Sequence, residues 1–449
     1  MSEEGRLSDR KHKITFVVPT ACYTPSRGWD KAAVAPLEGA TLAATLLQKA
    51  GYKVQCFDLR LDADQKTLAV RSASESVAVC IAGAPDSYRF IREFCTELKS
   101  YNEQIPIILG GPLSTFGWDT ILCKTKVNYC LVGECERVIV KLVECVLQGK
   151  MPINFPVAFV HAGKVIAPTR SPKVCMSEVP YPDYTLWKES YGSHYPPSLL
   201  YYSTQRGCRG KCSFCALPGR WRPSEESKIA SDLTKIRELG VKKLFFSDPT
   251  FNTETKHCLA VASVIKEQIR LPWACHIRAK PSSRSFFEVL KKSGCEALFL
   301  GIESAEEAIL RQYNKGTSLK DIESCLASAS DVGLPVWGFL ILGLPGETKQ
   351  SLRKTIEFTA NHAFAPRATF ATPFPGSVLH HIFLEDAIKE GARKEDVVER
   401  ILEQVSDLRY DGTDEPMQLP GREIGLVPIL RETMAWMTQM AVERVGQLP

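Results

Sequence analysis

The sequence lacks any apolar run long enough to cross a membrane, since no stretch approaches about eighteen uninterrupted apolar residues. Residues 1–13 are polar and mixed in charge, without the apolar segment of a secretory signal. No basic run and no interleaving of basic with aromatic residues occurs, and a net charge of +5 over 449 residues is mild, which disfavours nucleic acid as a partner. We therefore expect a cytoplasmic protein.

Histidine is absent between Lys13 and His161, and cysteine is absent after Cys325. A disulfide pattern is also absent. Of the sixteen cysteines, thirteen stand singly inside apolar runs, as Cys56 and Cys80 do. This usage indicates a reducing compartment.

Alternating strand and helix patterns are present from residue 13 to residue 150. This alternation predicts a doubly wound, Rossmann-like parallel sheet whose ligand lies at the carboxyl ends of the strands. Gly110-Gly111-Pro112 follows one predicted strand, and Gly133-Glu134 follows another. Glycine lets backbone approach a bulky ligand, although a turn and a helix cap explain the same residues.

The rest of the chain divides into three predicted regions. Residues 151–195 are rich in proline and indicate an extended connector with one small hairpin at 162–164. Residues 196–380 contain six strand-helix units, too few for a closed eight-stranded barrel, so we predict a partial (β/α)6 barrel. Residues 381–449 predict a small helical cap near the barrel mouth.

Cys208, Cys212 and Cys215 follow the first predicted strand of this barrel. Their spacing allows three thiolates to converge on one soft metal centre, and three ligands leave one iron of a four-iron cluster open. A zinc site completed by a distant histidine, or cysteines that only pack, are the alternatives. Polar and glycine residues follow the other barrel strands, which favours a reactive site at this rim. They are Asp248, Arg278, Glu303, Ser304 and Gly343.

The cysteine loop, with an aromatic residue before its third cysteine, resembles the signature of the radical S-adenosylmethionine (radical SAM) superfamily. The stretches 298–304, 313–317 and 338–348 are similar to the barrel of its branch with an N-terminal cobalamin (B12)-binding domain. The helix pattern at 37–54, the 110–112 turn and the Gly-Glu-x-Glu at 133–136 are similar to that B12 domain. One departure is Cys135, where family members usually have glycine.

The resemblance implies that the three cysteines hold a 4Fe-4S cluster and that S-adenosylmethionine binds its fourth iron. Phe214 is then expected beside the adenine, and Arg278 and Glu303 at the carboxylate and ribose. Asp248, Ser304 and Gly343 are further candidate contacts. Alternatively, Arg278 and Glu303 form only an ion pair at the rim.

For cobalamin, the resemblance implies contacts from strand-end residues of the first domain. These are Thr20, Gly83, Gly110, Gly111, Pro112, Gly133 and Glu134. The loop 20–36, which corresponds to the histidine-bearing loop of methionine-synthase-type domains, contains no histidine. We therefore predict no protein histidine ligand to cobalt.

The activity implied is methylation of an unactivated carbon, with one S-adenosylmethionine supplying the methyl group through cobalamin and a second supplying the 5'-deoxyadenosyl radical. A low-potential electron donor such as ferredoxin or flavodoxin is the implied partner, and the substrate is a small molecule or a peptide. Catalytic acid-base residues are not indicated. Two alternatives stay open: ring closure, contraction or oxidation without net methylation, and a non-catalytic cobalamin sensor or tetrapyrrole carrier.

Overall fold

The structure is a computed structural model that describes residues 13–20, 34–216, 219–408, 414–417, 419 and 425–445. The chain forms two compact units. The first comprises Met1–Pro197 with Gly391–Ser406, and the second comprises Ser198–Glu390 with Asp407–Pro449. Across the described residues, no helix combines the length and the apolar character that a membrane span requires.

The first unit is a seven-stranded sheet flanked by helices. Its strands are β1 (Lys13–Val18), β2 (Lys53–Asp58), β3 (Ala78–Ala82), β4 (Ile107–Gly110), β5 (Tyr129–Leu131), β6 (Val157–His161) and β7 (Lys164–Ile166). Its main helices are Glu38–Lys49, Lys66–Ser74, Tyr88–Tyr101, Pro112–Lys124, Ile139–Leu147 and Lys394–Ser406.

The sheet order is β2-β1-β3-β4-β5-β6-β7, and the first five strands in that order are parallel. The strands are buried β-branched and aliphatic runs, as a sheet covered on both faces requires. The order reverses between β1 and β3, and in doubly wound sheets ligands bind beside this switch point. Thr20 and Gly83 lie just beyond the carboxyl ends of these two strands. The predicted doubly wound sheet is confirmed.

The proline-rich connector is part of the first unit. The predicted hairpin at 162–164 is confirmed, because β6 and β7 pair antiparallel around it and β6 pairs antiparallel with β5. Trp187 and Tyr191 are buried against the sheet core, and the Trp187 indole donates to Thr41 Oγ1 at 2.9 Å. These contacts anchor the connector to the sheet.

The second unit is built on a six-stranded parallel sheet. Its strands are β8 (Leu199–Tyr202), β11 (Lys243–Phe246), β12 (Trp273–Ile277), β13 (Cys295–Glu303), β14 (Val336–Leu342) and β15 (Ala365–Phe370), and a short separate ladder joins β9 (Gln205–Arg206) to β10 (Arg222–Pro223). Its helices are Glu226–Glu238, Thr255–Val264, Arg284–Lys292, Glu307–Gln312, Leu319–Asp331, Lys349–Asn361, Val378–Lys389 and Leu426–Val445, with a π-helical turn at Ile265–Ile269.

The six strands are ordered β15-β14-β13-β12-β11-β8, and each neighbouring pair is parallel. Because β15 and β8 are the two edges, the sheet is open, and the predicted partial (β/α)6 barrel is confirmed. Outward-facing side chains such as Phe246 and Trp273 pack in the helix layer, with ring centroids 5.3 Å apart. The parallel arrangement brings all carboxyl ends to one rim.

The C-terminal region contributes to both units. Helix Lys394–Ser406 contacts the first unit through ion pairs, with Glu403 bonded to Arg89 at 2.9 Å and also to Arg92. Helix Leu426–Val445 lies in the second unit, where Arg444 donates to the carbonyl of Phe364 at 2.6 Å. The sequence pattern predicted a single cap for all of 381–449, whereas in the structure this region is divided between the two units.

We predict that Gly111→Ala destabilises the first unit. Gly111 has a φ of 96°, and an added Cβ would lie 2.6 Å from the carbonyl oxygen of Gly83. Backbone strain together with this clash is expected to cost about 2 kcal/mol or more, which corresponds to a melting temperature lower by about 4–8 °C.

The matched control is Gly39→Ala. Gly39 is exposed in the first turn of helix Glu38–Lys49, and a Cβ added there would meet no atom within 4 Å. This change should leave the melting temperature unchanged or raise it slightly. Equal calorimetric melting temperatures for Gly111→Ala and Gly39→Ala would contradict the prediction.

Candidate functional site

The base of the cysteine loop is fixed by buried hydrogen bonds. The Asp248 carboxylate accepts from Thr204 Oγ1 at 2.7 Å and from the Gln205 amide at 3.0 Å. The Gln205 side chain in turn donates to the carbonyl of Phe251 at 3.1 Å. Asp248 therefore holds the strand end from which the loop leaves.

The three loop cysteines form no disulfide, and their side chains are partly or fully exposed. Cys208 Sγ accepts from the Gly210 amide at 3.2 Å and lies 3.4 Å from Thr250 Oγ1. Cys212 Sγ accepts from the Arg278 guanidinium at 3.5 Å. Hydrogen-bond donors therefore already point at two of the three sulfur atoms. Within the described ranges, no three His, Cys, Asp or Glu side chains already converge as a metal site.

Arg278 connects this loop to the barrel rim. Asn252 accepts from the Arg278 amide at 2.9 Å and donates to its carbonyl at 2.8 Å. The guanidinium also donates to the carbonyl of Lys315. A Cβ on Gly210 would lie 2.5 Å from Arg278 Nη1, so a side chain at this position would displace the guanidinium from its present place.

A cavity of about 730 Å³ opens beside the loop. Among the residues that the structure describes, its lining contains six cationic side chains and no carboxylate. The cations are Arg209, Lys211, Arg278, Lys280, Arg311 and Lys315. The residues present therefore fit a thiolate-ligated cluster together with an anionic ligand group, because both carry the negative charge that these side chains attract.

The ion pair at this rim joins Glu303 to Lys315, with 2.7 Å between Oε1 and Nζ, and both side chains are largely buried. Glu303 has a φ of 67°, an uncommon conformation for a non-glycine residue. Strain of this kind is found at functional sites. Glu303 thus pairs with Lys315, and not with Arg278 as the alternative interpretation expected. Lys315 contacts both residues, through its amine and its backbone carbonyl.

The other three candidate S-adenosylmethionine contacts differ in their surroundings. Phe214 is half-buried, 6.3 Å from the ring of Tyr313. Ser304 is buried and accepts from the amide of Glu306 at 3.1 Å. The Gly343 amide donates to Glu347. Ser304 and Gly343 therefore hold strand-end turns in shape, whereas Phe214 lies on the cysteine loop itself.

In the first unit, the candidate cobalamin residues lie at the carboxyl edge of the sheet. Gly83 and Gly111 approach closely, as the clash at Gly111 shows. A Cβ on Gly110 would meet no atom within 4 Å. Thr20 is exposed, and Pro112 is the first residue of helix Pro112–Lys124. Backbone is thus accessible at Gly110, Gly111 and Pro112, whereas Gly83 is buried, and accessible backbone suits a large flat ligand.

Gly133 and Glu134 lie against the connector. A Cβ on Gly133 would lie 2.5 Å from Ser171 Oγ, and the Glu134 carboxylate accepts from the Val174 amide at 2.8 Å. Contacts with the connector therefore explain the glycine at 133 and the glutamate at 134 without a ligand. The residues 21–33, which include Cys22, Tyr23, Arg27 and Trp29 of the histidine-free loop, lie outside the described residues.

The residues that position the site were not predicted from the sequence. Asn252 bonds Arg278 and Lys315 bonds Glu303, and neither spacing follows the period of a helix or a strand. Lys315 does lie within the stretch 313–317. Asp58 at the end of β2 was also missed. It is buried, pairs with Arg60 at 2.6 Å and accepts from the Tyr191 hydroxyl at 2.9 Å.

Residues 202–359 match the family model described as "Radical SAM superfamily". An uncharacterized methyltransferase of Pyrococcus horikoshii is 27% identical over 292 residues, which is 63% of this chain and 63% of that protein. The anaerobic magnesium-protoporphyrin IX monomethyl ester cyclase of Rubrivivax gelatinosus is 25% identical over 373 residues, or 78% of this chain and 66% of that protein. The chain thus spans less than two thirds of each relative's length.

Among solved structures, the chain is similar to the radical S-adenosylmethionine methyltransferase TsrM from Kitasatospora setae, with cobalamin and a [4Fe-4S] cluster bound. The TM-score is 0.69 at 17% identity, covering 84% of this chain and 78% of that one. At this identity the likeness shows a common fold.

We predict that Arg278→Met weakens retention of a reconstituted cluster. The substitution keeps a long side chain but removes the charged donor to Cys212 and the bond to Lys315. Loss of a charge-assisted hydrogen bond should accelerate iron release to a chelator by about tenfold. Release is followed by the absorbance of the chelated iron under anaerobic conditions.

The control is Arg284→Met. The Arg284 side chain is 63% exposed and pairs with Glu288 within its own helix. Its removal should leave iron release unchanged. The assigned role of Arg278 is wrong if both variants release iron at the wild-type rate.

Proposed function

Since residues 202–359 belong to the radical S-adenosylmethionine superfamily, we propose that the chain is a cobalamin-dependent radical SAM enzyme that methylates a carbon atom of its substrate. The observation that carries the proposal is the loop of three cysteines, none in a disulfide, beside a cavity whose described lining contains cations and no carboxylate. Similarity to a methyltransferase over 292 residues supports the reaction type.

In this proposal Cys208, Cys212 and Cys215 hold a 4Fe-4S cluster. When bound, the cluster supplies the electron that cleaves S-adenosylmethionine to the 5'-deoxyadenosyl radical. Arg278 attracts the methionine carboxylate, since its guanidinium faces the cavity. Glu303, held by Lys315, is the candidate for the ribose hydroxyls. Phe214 is the candidate for the adenine.

Residues 13–150 are the proposed cobalamin-binding domain. The glycine-lined carboxyl edge and the switch point between β1 and β3 support this assignment, as does the fold shared with TsrM, which was solved with cobalamin bound. Bound cobalamin supplies the methyl group. Because the sequence has no histidine between Lys13 and His161, we propose that cobalt receives no imidazole from this domain.

The proposed electron donor is a small acidic protein of the ferredoxin or flavodoxin type. Cations at the cavity mouth are exposed, including Arg209, Lys211 and Lys280. A positive surface around the electron-accepting centre steers a negatively charged partner to it.

A second candidate is ring closure or oxidation without net methyl transfer, which the similarity to the anaerobic cyclase favours. The two activities differ in their use of S-adenosylmethionine. A methyltransferase converts one molecule to S-adenosylhomocysteine and another to 5'-deoxyadenosine, whereas the second candidate needs only the latter. A cobalamin sensor or tetrapyrrole carrier forms neither product.

We predict that the anaerobically reconstituted protein forms both products under strong reductant. Changing Cys208, Cys212 and Cys215 together to Ala should abolish 5'-deoxyadenosine formation and cluster iron, because no thiolate remains to hold the cluster. Products are measured by liquid chromatography and mass spectrometry with methyl-labelled S-adenosylmethionine.

The matched control changes two exposed cysteines outside the loop, Cys123 and Cys175, to Ala. This variant should keep iron and both products. Formation of 5'-deoxyadenosine without S-adenosylhomocysteine would favour the second candidate. If the wild-type protein forms neither 5'-deoxyadenosine nor S-adenosylhomocysteine, both enzymatic candidates are wrong.

We also predict that cobalt in the bound Co(II) cofactor has no histidine nitrogen ligand. Electron paramagnetic resonance spectra of protein with ordinary and with nitrogen-15 histidine should be identical. His161→Ala is a suitable control because His161 is exposed on β6 and should not affect the spectrum. A change in hyperfine splitting on histidine labelling would contradict the prediction.

A further inference from the structure

The inner face of the barrel sheet carries a layer of ring side chains that the proposed cofactor chemistry does not use. Phe245, His276, Phe299 and Phe339 occupy alternate positions on neighbouring strands, and their centroids are 5.0–6.0 Å apart. Trp337 stacks on Phe299 at 5.3 Å with an interplanar angle of 9°. Neighbouring strands thus present one continuous aromatic surface to the barrel interior.

This surface has two levels. Phe245, Phe299 and Trp337 form a buried floor, and Phe339 and Arg367 form a less buried upper level. Phe245 and Phe299 are 0% exposed and Trp337 is 5% exposed, as expected for packed core. Phe339 and Arg367, which pair in register one step nearer the carboxyl ends, are half-buried. Core packing alone explains the floor, but it does not explain a half-buried phenylalanine beside a half-buried arginine inside a barrel.

The charged side chain that faces Phe339 at the upper level is an arginine. The Arg367 guanidinium lies 5.7 Å from the centroid of the Phe339 ring. The Glu303 carboxylate is neutralised by Lys315. Burial, with a smaller contribution from the Arg367 charge, lowers the pKa of His276 to about 4, so this ring is neutral near pH 7. A ligand at this level therefore meets an aromatic face and a cation.

Lys315 links the upper level to the lining of the cluster cavity. Gly301 pairs in register with Phe339, so the neighbouring position on β13 carries no side chain. A Cβ there would lie 2.6 Å from both Glu303 Oε1 and Lys315 Nζ. Lys315 lines the cavity beside Cys208, so a ligand stacked on Phe339 lies next to the groups that would bind S-adenosylmethionine.

We infer that this inner face is the substrate site and that it takes a planar conjugated ring bearing a carboxylate, with Phe339 stacking on the ring and Arg367 pairing with the carboxylate. The inference rests on the proposed function and adds the substrate class to it. A saturated chain would gain only apolar burial from this face. A conjugated ring gains stacking, and its carboxylate gains a charge-assisted hydrogen bond.

Arg367 is therefore a specificity-determining residue. Its guanidinium is held over Phe339, which orients its donors before a ligand arrives. The ring and the carboxylate are recognised by different side chains, so their contributions can be separated by changing one residue at a time.

The test is calorimetric binding of three small probes to the full chain, without S-adenosylmethionine or reductant. The probes are 2-naphthoate, its neutral analogue 2-naphthylmethanol, and cyclohexanecarboxylate. We expect the wild-type protein to bind 2-naphthoate more tightly than either other probe. Arg367→Gln should weaken 2-naphthoate by about tenfold and 2-naphthylmethanol by less than about twofold, because only the former loses a charged partner.

Two further variants complete the design. Phe339→Leu should weaken both naphthyl probes by several-fold, since both lose the stacked ring. Arg393→Gln is the matched control, because the Arg393 side chain is 75% exposed and lies outside the second unit, so it should change no affinity. Circular dichroism confirms that each variant is folded.

The inference is overturned if 2-naphthoate shows no binding up to its solubility limit, or if it binds no better than both other probes. It is also overturned if Arg367→Gln weakens the charged and the neutral naphthyl probe equally. If Arg367→Gln does not fold, the wild-type preference and Phe339→Leu decide. Because no turnover is measured, binding without methylation separates a failed proposed function from a failed substrate assignment.

Discussion

The Arg278 guanidinium is the group on which the geometry of the candidate site depends. One of its nitrogens reaches Cys212 Sγ, and the other bonds the backbone of Lys315. Its own backbone is held from both sides by Asn252. Lys315 then holds Glu303 at 2.7 Å. Arg278, directly and through Lys315, therefore links the cysteine loop to the ends of strands β11, β12 and β13.

Positive charge gathers around the thiols. Among the described residues, six cationic side chains and no carboxylate line the cavity, although Lys280, Arg311 and Lys315 pair with carboxylates outside the lining. The cavity surface therefore attracts anions. A thiolate-ligated cluster and a carboxylate-bearing cofactor are anions of the required kind, so the electrostatics and the thiol spacing lead to the same chemistry.

The proposed cobalamin edge of the first unit is constrained in a different way. Its glycines are held in position by contact with one another. Gly111 cannot carry a side chain because Gly83 lies against it, whereas Gly110 has open space. The connector completes the unit by burying Trp187 and Tyr191 against the sheet.

Much of this architecture could be predicted because periodicity and strand-end position are local properties. The run Lys13–Val18 reads as a buried strand without its neighbours, and the cysteine spacing is contained in eight residues. Asn252 and Lys315 could not be predicted, because their roles depend on contacts with residues far away in the sequence. Helix Lys394–Ser406 was placed with the C-terminal cap for the same reason. Its ion pairs with Arg89 and Arg92 depend on folding of the first unit.

In the proposed site, three thiolates hold a four-iron cluster and leave one iron open to S-adenosylmethionine. Mössbauer spectroscopy of protein reconstituted with iron-57 distinguishes that iron from the other three. We expect a cluster of four irons on each chain, with the spectrum of one iron changing when S-adenosylmethionine is added. A four-iron cluster whose spectrum does not respond to S-adenosylmethionine, or a loop that binds zinc in place of iron, would contradict this expectation.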